Sequence, residues 1–157
     1  MGGHTRILVV DDDESIRKTL AMILKEKGYL VDTAENGKEA IKKSKAKFYN
    51  LALIDIRLPD MEGTKLLTTI AETTPKMAKI IITGYPSLQN AIEALNKGAD
   101  AYILKPFNMD NVLNTIEEHL KKQQQAKKYG EERVAEFIET RVRELEEEKV
   151  TSHKKIR

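Results

Sequence analysis

Five times between Ile7 and Leu120 the chain passes from a short apolar run into a segment whose apolar residues recur at helical spacing, and that alternation leaves few folds open. Ile7-Leu8-Val9-Val10 is continuous and rich in β-branched residues, the mark of a strand covered on both faces of a parallel sheet. Leu51 to Asp55, Lys79 to Thr83 and Ala101 to Leu104 read the same way, whereas Tyr29 to Ala34 is weaker and partly polar, as an edge strand would be. The first helix starts at Asp13 or Glu14, carries Ile16, Leu20, Ile23 and Leu24 on one face, and stops at Gly28. Asn36-Gly37 turns the chain before a second helix over Lys38 to Ala46, and a third is predicted from Thr64 to about Thr73. Ser87 is the N-cap of a fourth helix, Leu88 to Lys97, stopped at Gly98; a fifth runs from about Met109 past Leu120. The pattern predicts an α/β fold, a doubly wound parallel sheet with helices on both faces. Right-handed crossovers then put the C-terminal end of every strand on one edge, where open sheets of this kind bind ligands.

The residues leaving those ends are Asp11-Asp12-Asp13 after strand one, Asp55 after strand three, Thr83 after strand four and Lys105 after strand five. Carboxylates a few ångströms apart repel and lose hydration, so a cation or a raised pKa must relieve them, and hard, oxygen-liganded Mg2+ is the natural partner. Acids, a hydroxyl and a fixed positive charge together suit a phosphoryl group, whose oxygens need neutralisation and directed hydrogen bonds as it transfers. One acid can also act as nucleophile and become an aspartyl phosphate. Asp55 is the candidate, a single acid at the end of a central strand. Asp13 reads instead as a helix N-cap or a first-turn charge complementing the helix dipole.

Composition removes several classes. A chain of 157 residues holds one ordinary domain and an appendage, and the absence of cysteine excludes disulfides, thiolate catalysis and cysteine zinc sites. His4, His119 and His153 are too scattered for a metal cluster. No run approaches the roughly 20 apolar residues of a membrane span and the start lacks the apolar core of a signal peptide, so a cytoplasmic protein with no membrane contact is expected. The net charge of +2 is too small to argue for nucleic acid. It is also uneven: residues 1–120 hold 16 Lys+Arg against 17 Asp+Glu, and residues 121–157 hold 11 against 8.

Four stretches in one order and spacing resemble the receiver domain of two-component response regulators. They are Ile7-Leu8-Val9-Val10-Asp11-Asp12, Leu53-Ile54-Asp55-Ile56-Arg57-Leu58-Pro59-Asp60-Met61-Glu62-Gly63, Ile82-Thr83-Gly84-Tyr85, and Gly98-Ala99-Asp100-Ala101-Tyr102-Ile103-Leu104-Lys105-Pro106-Phe107. The resemblance covers residues 5–120, with 121–157 left as a charged helical extension. It implies a flavodoxin-like (βα)5 fold with strand order 2-1-3-4-5, and Asp55 as acceptor of a phosphoryl group from a histidine kinase or phosphotransfer protein. It further implies Mg2+ on Asp12, Asp55 and the backbone carbonyl of Arg57, with Asp11 acting mainly through water. Thr83 and Lys105 would bind phosphoryl oxygens, and Thr83 and Tyr102 would switch the face built from helix four, strand five and helix five. The Lys105-Pro106 bond is expected to be cis. Arg57 and Tyr85 occupy places from which such domains screen the phosphoryl group from water; both are bulky here, which predicts slow self-dephosphorylation. Met61 and Gly63 read as a packing residue and a turn before a helix.

The extension turns polar after Leu120, and Glu131 to Lys149 has strong helix composition, with Gly130 as a weak point. Val134, Ile138, Val142 and Leu145, with Phe137 beside them, make a narrow apolar stripe that suits a linker or a dimer helix. The stripe leaves open pairing with another chain, packing back on the preceding domain or the first turns of a linker, and a homodimer has two candidate surfaces, this helix and the helix four, strand five, helix five face; no nucleic-acid contact is expected. A second reading is a Mg2+-dependent phosphohydrolase of the haloacid dehalogenase type. It would need its nucleophile after strand one, a pattern that Asp11-Asp12-Asp13-Glu14-Ser15 only approximates.

Overall fold

A computed structural model of the chain describes residues 4–73 and 75–156, with the backbone alone for 152–156. Residues 1–3 and the His153 side chain, which entered the sequence reading, lie outside the described part. The elements are β1 (Arg6–Val10), α1 (Glu14–Glu26), β2 (Leu30–Ala34), α2 (Gly37–Ala46), β3 (Leu51–Ile54), α3 (Gly63–Thr69), β4 (Ala78–Thr83), α4 (Leu88–Asn96), β5 (Ala101–Leu104) and α5 (Met109–Ile156). The five strands pair in parallel in the order β2-β1-β3-β4-β5, as the resemblance implied. By compactness the chain divides into a unit ending at Lys121 and another beginning at Lys122, and each is described by itself.

Alternate residues of a strand point to opposite faces of the sheet, so the continuous apolar runs must supply two cores at once. Ile7 and Val9 of β1, Leu51 and Leu53 of β3, and Ile80 and Ile82 of β4 pack with Leu20 and Leu24 of α1 and Val112, Ile116 and Leu120 of α5. Their neighbours Leu8, Val10, Ala52, Ile54 and Ile81 pack with Ala40 of α2, Leu66 and Leu67 of α3, and Ala94 of α4. Burial of each such Leu or Ile side chain contributes about 1.5–3 kcal/mol. A one-residue slip of any central strand would exchange the two sets, which pins the register and with it the level at which each strand ends.

Helix ends follow local chemistry. Asp13 caps α1 by accepting the N–H of Ser15 at 2.9 Å and of Ile16 at 3.2 Å, and Ser87 caps α4 through the N–H of Asn90 at 3.0 Å. Gly28 and Gly98 leave α1 and α4 in the left-handed region, with φ of 95° and 102°, where a side chain would be strained.

Three expectations need correction. Asn36-Gly37 is a helix start rather than a turn ahead of one: Asn36 accepts the Glu39 N–H at 2.8 Å, and α2 begins at Gly37. The third helix ends at Thr69, not near Thr73, because Ile70 adopts extended backbone (φ −64°, ψ 144°) and buries its side chain in the core. The next amide, Ala71 N–H, then donates to Ser44 Oγ at 3.3 Å instead of continuing the helix. Gly130 does not interrupt the last helix, which runs through it to Ile156. A helical glycine costs about 1 kcal/mol against alanine, and the Lys, Glu, Arg and Ala residues on either side outweigh it.

The second unit is helical from Lys122, with Val134, Phe137, Ile138, Val142 and Leu145 exposed along it. Ion pairs within the helix, Arg141 with Glu144 at 3.2 Å and Arg143 with Glu139 at 3.6 Å, link its solvated flanks. Exposed pairs of this kind contribute little each. Among the described residues no helix is long and apolar enough to cross a membrane.

Candidate functional site

β1 and β3 are adjacent and in register, Val10 beside Ile54, so the residues that follow them, Asp11 and Asp55, emerge side by side at one edge. Asp55 N–H donates to the Val10 carbonyl at 3.0 Å and fixes that level. β5, two strands from β3 across β4, delivers Lys105 to the same edge, and its N–H donates to the Thr83 carbonyl at 2.8 Å. The Lys105–Pro106 peptide is cis.

The Lys105 ammonium lies between the two acids, 2.7 Å from Asp11 Oδ2 and 3.0 Å from Asp55 Oδ2. Both carboxylates are almost wholly buried, and the lysine side chain is 16% exposed. The remaining oxygens are held by backbone: Asp11 Oδ1 accepts the Asp13 N–H at 2.9 Å and Asp55 Oδ1 the Arg57 N–H at 3.2 Å. Burial raises the Asp11 carboxyl above its ordinary range by more than the hydrogen bonds from Lys105 and Asp13 lower it. Burial also works against the Lys105 ammonium, but its hydrogen bonds to Asp11 and Asp55 prevail and its pKa is raised.

Asp12 is exposed, and its carboxylate completes a group in which Asp11, Asp12 and Asp55 oxygens all lie within 4.8 Å of one another. Three carboxylates against one ammonium leave an excess of negative charge, and the donors are all hard oxygens. That set fits a small divalent cation such as Mg2+ and does not suit a soft one.

Thr83 is fully buried, and among the described residues its side chain bonds to the Tyr85 N–H, which donates to Oγ1 at 3.0 Å. The Arg57 guanidinium stands 3.9 Å from the centre of the Tyr85 ring, so the loops after β3 and β4 meet in a cation–π contact above the strand ends. Tyr102, part-buried, packs against the core on the α2–α4 side, and among the described residues its buried hydroxyl has no hydrogen-bond partner of good geometry.

The sequence pattern of the response regulator receiver domain matches residues 7–117. The chain belongs to that family. Receiver domains are signalling modules rather than classical enzymes. The chain is similar to the transcriptional regulatory protein ZraR of Klebsiella oxytoca, 40% identical over 119 residues, which are 76% of this chain and 27% of that protein. It thus spans about a quarter of the length of that relative. Among solved structures, a CheY-like receiver domain protein from Methanospirillum hungatei JF-1 is 47% identical with a TM-score of 0.75, over 78% of this chain and 98% of that one. The beryllofluoride-activated NtrC4 receiver domain dimer is 40% identical with a TM-score of 0.70, over 75% and 98%.

Two contributors to this receiver site were not visible in the sequence. Arg17, on α1, donates to the Asp11 carbonyl at 2.8 Å, a contact across six residues that no motif marks. Asp60, part of the Leu53–Gly63 stretch but given no role by it, accepts the N–H groups of Gly37 at 2.8 Å and Lys38 at 2.9 Å and so ties the loop after β3 to α2. The partner amides lie 23 and 22 residues away.

Proposed function

We propose that residues 5–120 act as a phosphorylatable receiver, with Asp55 accepting a phosphoryl group from the phosphohistidine of a histidine kinase or phosphotransfer protein. The observation that carries this reading is the Lys105 ammonium bonded to both Asp11 and Asp55, with Asp12 alongside. An Asp55 oxygen attacks phosphorus, the phosphorus–nitrogen bond breaks, and the imidazole leaves with the electron pair. Lys105 binds one phosphoryl oxygen and Thr83 another. Asp12, Asp55 and the Arg57 carbonyl would hold Mg2+ directly and Asp11 through water, and the bound ion would supply charge neutralisation for the transferring group.

The output is a change of shape. Moving Thr83 toward a phosphoryl group breaks the Tyr85 N–H bond and shifts the loop that leads into α4, while among the described residues no hydrogen bond of good geometry holds the Tyr102 hydroxyl. Leu88, Ile92 and Leu95 of α4 and Leu104 of β5 are exposed on the α4-β5-α5 face, an apolar surface fit for a partner or a second copy. The related NtrC4 receiver, a dimer when activated by beryllofluoride, supports the second copy. Residues 121–157 serve as a linker or dimer helix through the Val134 to Leu145 stripe.

With a phosphorylated kinase domain and Mg2+, wild type is expected to take up acid-stable, base-labile phosphate and Asp55→Asn none. Turnover of phosphate monoesters that survives Asp55→Asn would instead mark the protein as a phosphohydrolase.

The Arg57–Tyr85 contact bears on how long the phosphoryl group lasts. Stacked side chains obstruct an in-line water better than two independent ones, so the pair acts as one screen. Arg57→Ala and Tyr85→Ala are each expected to shorten the phosphate half-life several-fold, and the double variant no more than either single one. Additive effects would show that the two residues act separately, and unchanged half-lives would remove both from the account.

A further inference from the structure

We propose that Asp60 is a positioning residue for the divalent-cation site, holding the Arg57 carbonyl in place by anchoring its loop to α2. The inference rests on the reading of Asp12, Asp55 and the Arg57 carbonyl as cation ligands, and goes beyond it.

The loop from Ile56 to Gly63 is closed at its base. Gly63 N–H donates to the Ile56 carbonyl at 2.6 Å, and Arg57 pairs with Glu62 in an isolated antiparallel bridge. Those contacts set the loop's neck but leave its tip, Pro59 to Met61, to be oriented by something else. Asp60 does that with both carboxylate oxygens, Oδ1 on Gly37 N–H and Oδ2 on Lys38 N–H. These are the first amides of α2, which no residue of the helix can satisfy, and the positive end of the helix dipole favours the carboxylate there. The two hydrogen bonds lower the Asp60 carboxyl below its ordinary range.

The neighbouring side chain reinforces the anchor. Met61 lies against Gly37 so closely that a Cβ at Gly37 would collide with the methionine sulfur and the carbons on either side of it. A carboxylate clamp and a side chain in a glycine notch therefore fix the tip at two successive residues. Arg57 lies three residues before the clamp, in a loop with a closed neck, so tilting the tip tilts the peptide plane whose oxygen would face the cation. Residues that orient metal ligands in this way typically change affinity by about 10–100-fold when removed.

Mg2+ affinity of the unphosphorylated full chain, measured by titration calorimetry, separates the alternatives. Asp60→Ala is expected to weaken Mg2+ binding about tenfold, and Asp60→Asn, which keeps one acceptor, about threefold. Asn36→Ala removes a different cap from the same helix, the acceptor of the Glu39 N–H, and controls for loss of α2 stability alone. It is expected to leave Mg2+ affinity unchanged. Asp12→Ala tests the underlying ligand assignment and should abolish binding. If Asp12→Ala binds normally, the ligand assignment fails. If it fails to bind but Asp60→Ala and Asp60→Asn match wild type or Asn36→Ala, only the positioning role of Asp60 is overturned. Should Asp60→Ala not fold, Asp60→Asn against Asn36→Ala decides.

Discussion

Gly63→Ala is expected to lower stability by about 3 kcal/mol and the melting temperature by roughly 10 °C, and to abolish phosphorylation with it. Gly63 opens α3 directly beneath the residue that would accept the phosphoryl group. A Cβ there would stand 2.9 Å from both the Asp55 carbonyl carbon and Ile56 Cα, and closer still to the Asp55 oxygen. Those atoms are backbone, so no rotamer change relieves the clash; either α3 moves off the sheet or the Asp55 peptide moves. Leu66 and Leu67 of α3 are buried in the core, which makes the first option costly. The second displaces the acceptor. Thermal unfolding followed by circular dichroism, with phosphate uptake on the same sample, checks both halves. A variant with wild-type melting and wild-type uptake would show that the close approach of α3 to the strand end is not needed.

Lys105→Met is expected to destabilise the protein by about 3 kcal/mol at neutral pH without divalent cation, because it strands two buried carboxylates. The pH dependence carries the diagnostic. The folded Asp11 pKa is raised, so the native state binds that proton more tightly than the unfolded chain. Its contribution to stability is present below the unfolded value and is lost as pH rises through the folded one. Removing the ammonium lifts the folded value further and extends the loss toward neutrality. The deficit of Lys105→Met relative to wild type should therefore be small near pH 4, at about the unfolded carboxyl value, and grow up to pH 7. Mg2+ should reduce it, since a cation supplies the charge the lysine no longer provides. Urea unfolding at the two pH values, with and without Mg2+, gives the comparison; an equal deficit under all conditions would mean that Lys105 acts through packing of its stem alone.

Much of this architecture was legible from residue patterns because the relevant forces are local or periodic. Short apolar runs rich in β-branched residues, such as Ile7 to Val10, favour strands buried on both faces, and βα alternation then leaves little choice of topology. Asp11, Asp12, Asp55, Thr83 and Lys105 were nameable because each sits where a strand ends. What local reasoning misplaced was decided at longer range. α3 stops at Thr69 because the core takes Ile70 and Ser44 takes the next amide, and neither is a property of the Ile70 to Thr73 segment. Asn36-Gly37 has the composition of a turn, and its role as a helix start is completed by Asp60 from another loop. Gly130 looked like a weak point because a glycine penalty is easy to read, whereas the summed propensity of its flanks, which carries the helix through it, is not. The contacts of Asp60 and Arg17 were not legible because a carboxylate or guanidinium aimed at a distant backbone group leaves no pattern in the sequence.

The central claim is that Asp55, bracketed by Lys105 and the strand-one acids, is the residue that carries the phosphoryl group. Borohydride reduction of an acyl phosphate converts the modified aspartate to homoserine, so the site can be read directly by peptide mass spectrometry. After incubation with a small-molecule phosphodonor and Mg2+, the conversion is expected at position 55 alone, and absent when Mg2+ is withheld. Conversion at position 11 or 12 in place of 55, or none under conditions where the protein is folded and binds Mg2+, would contradict the account.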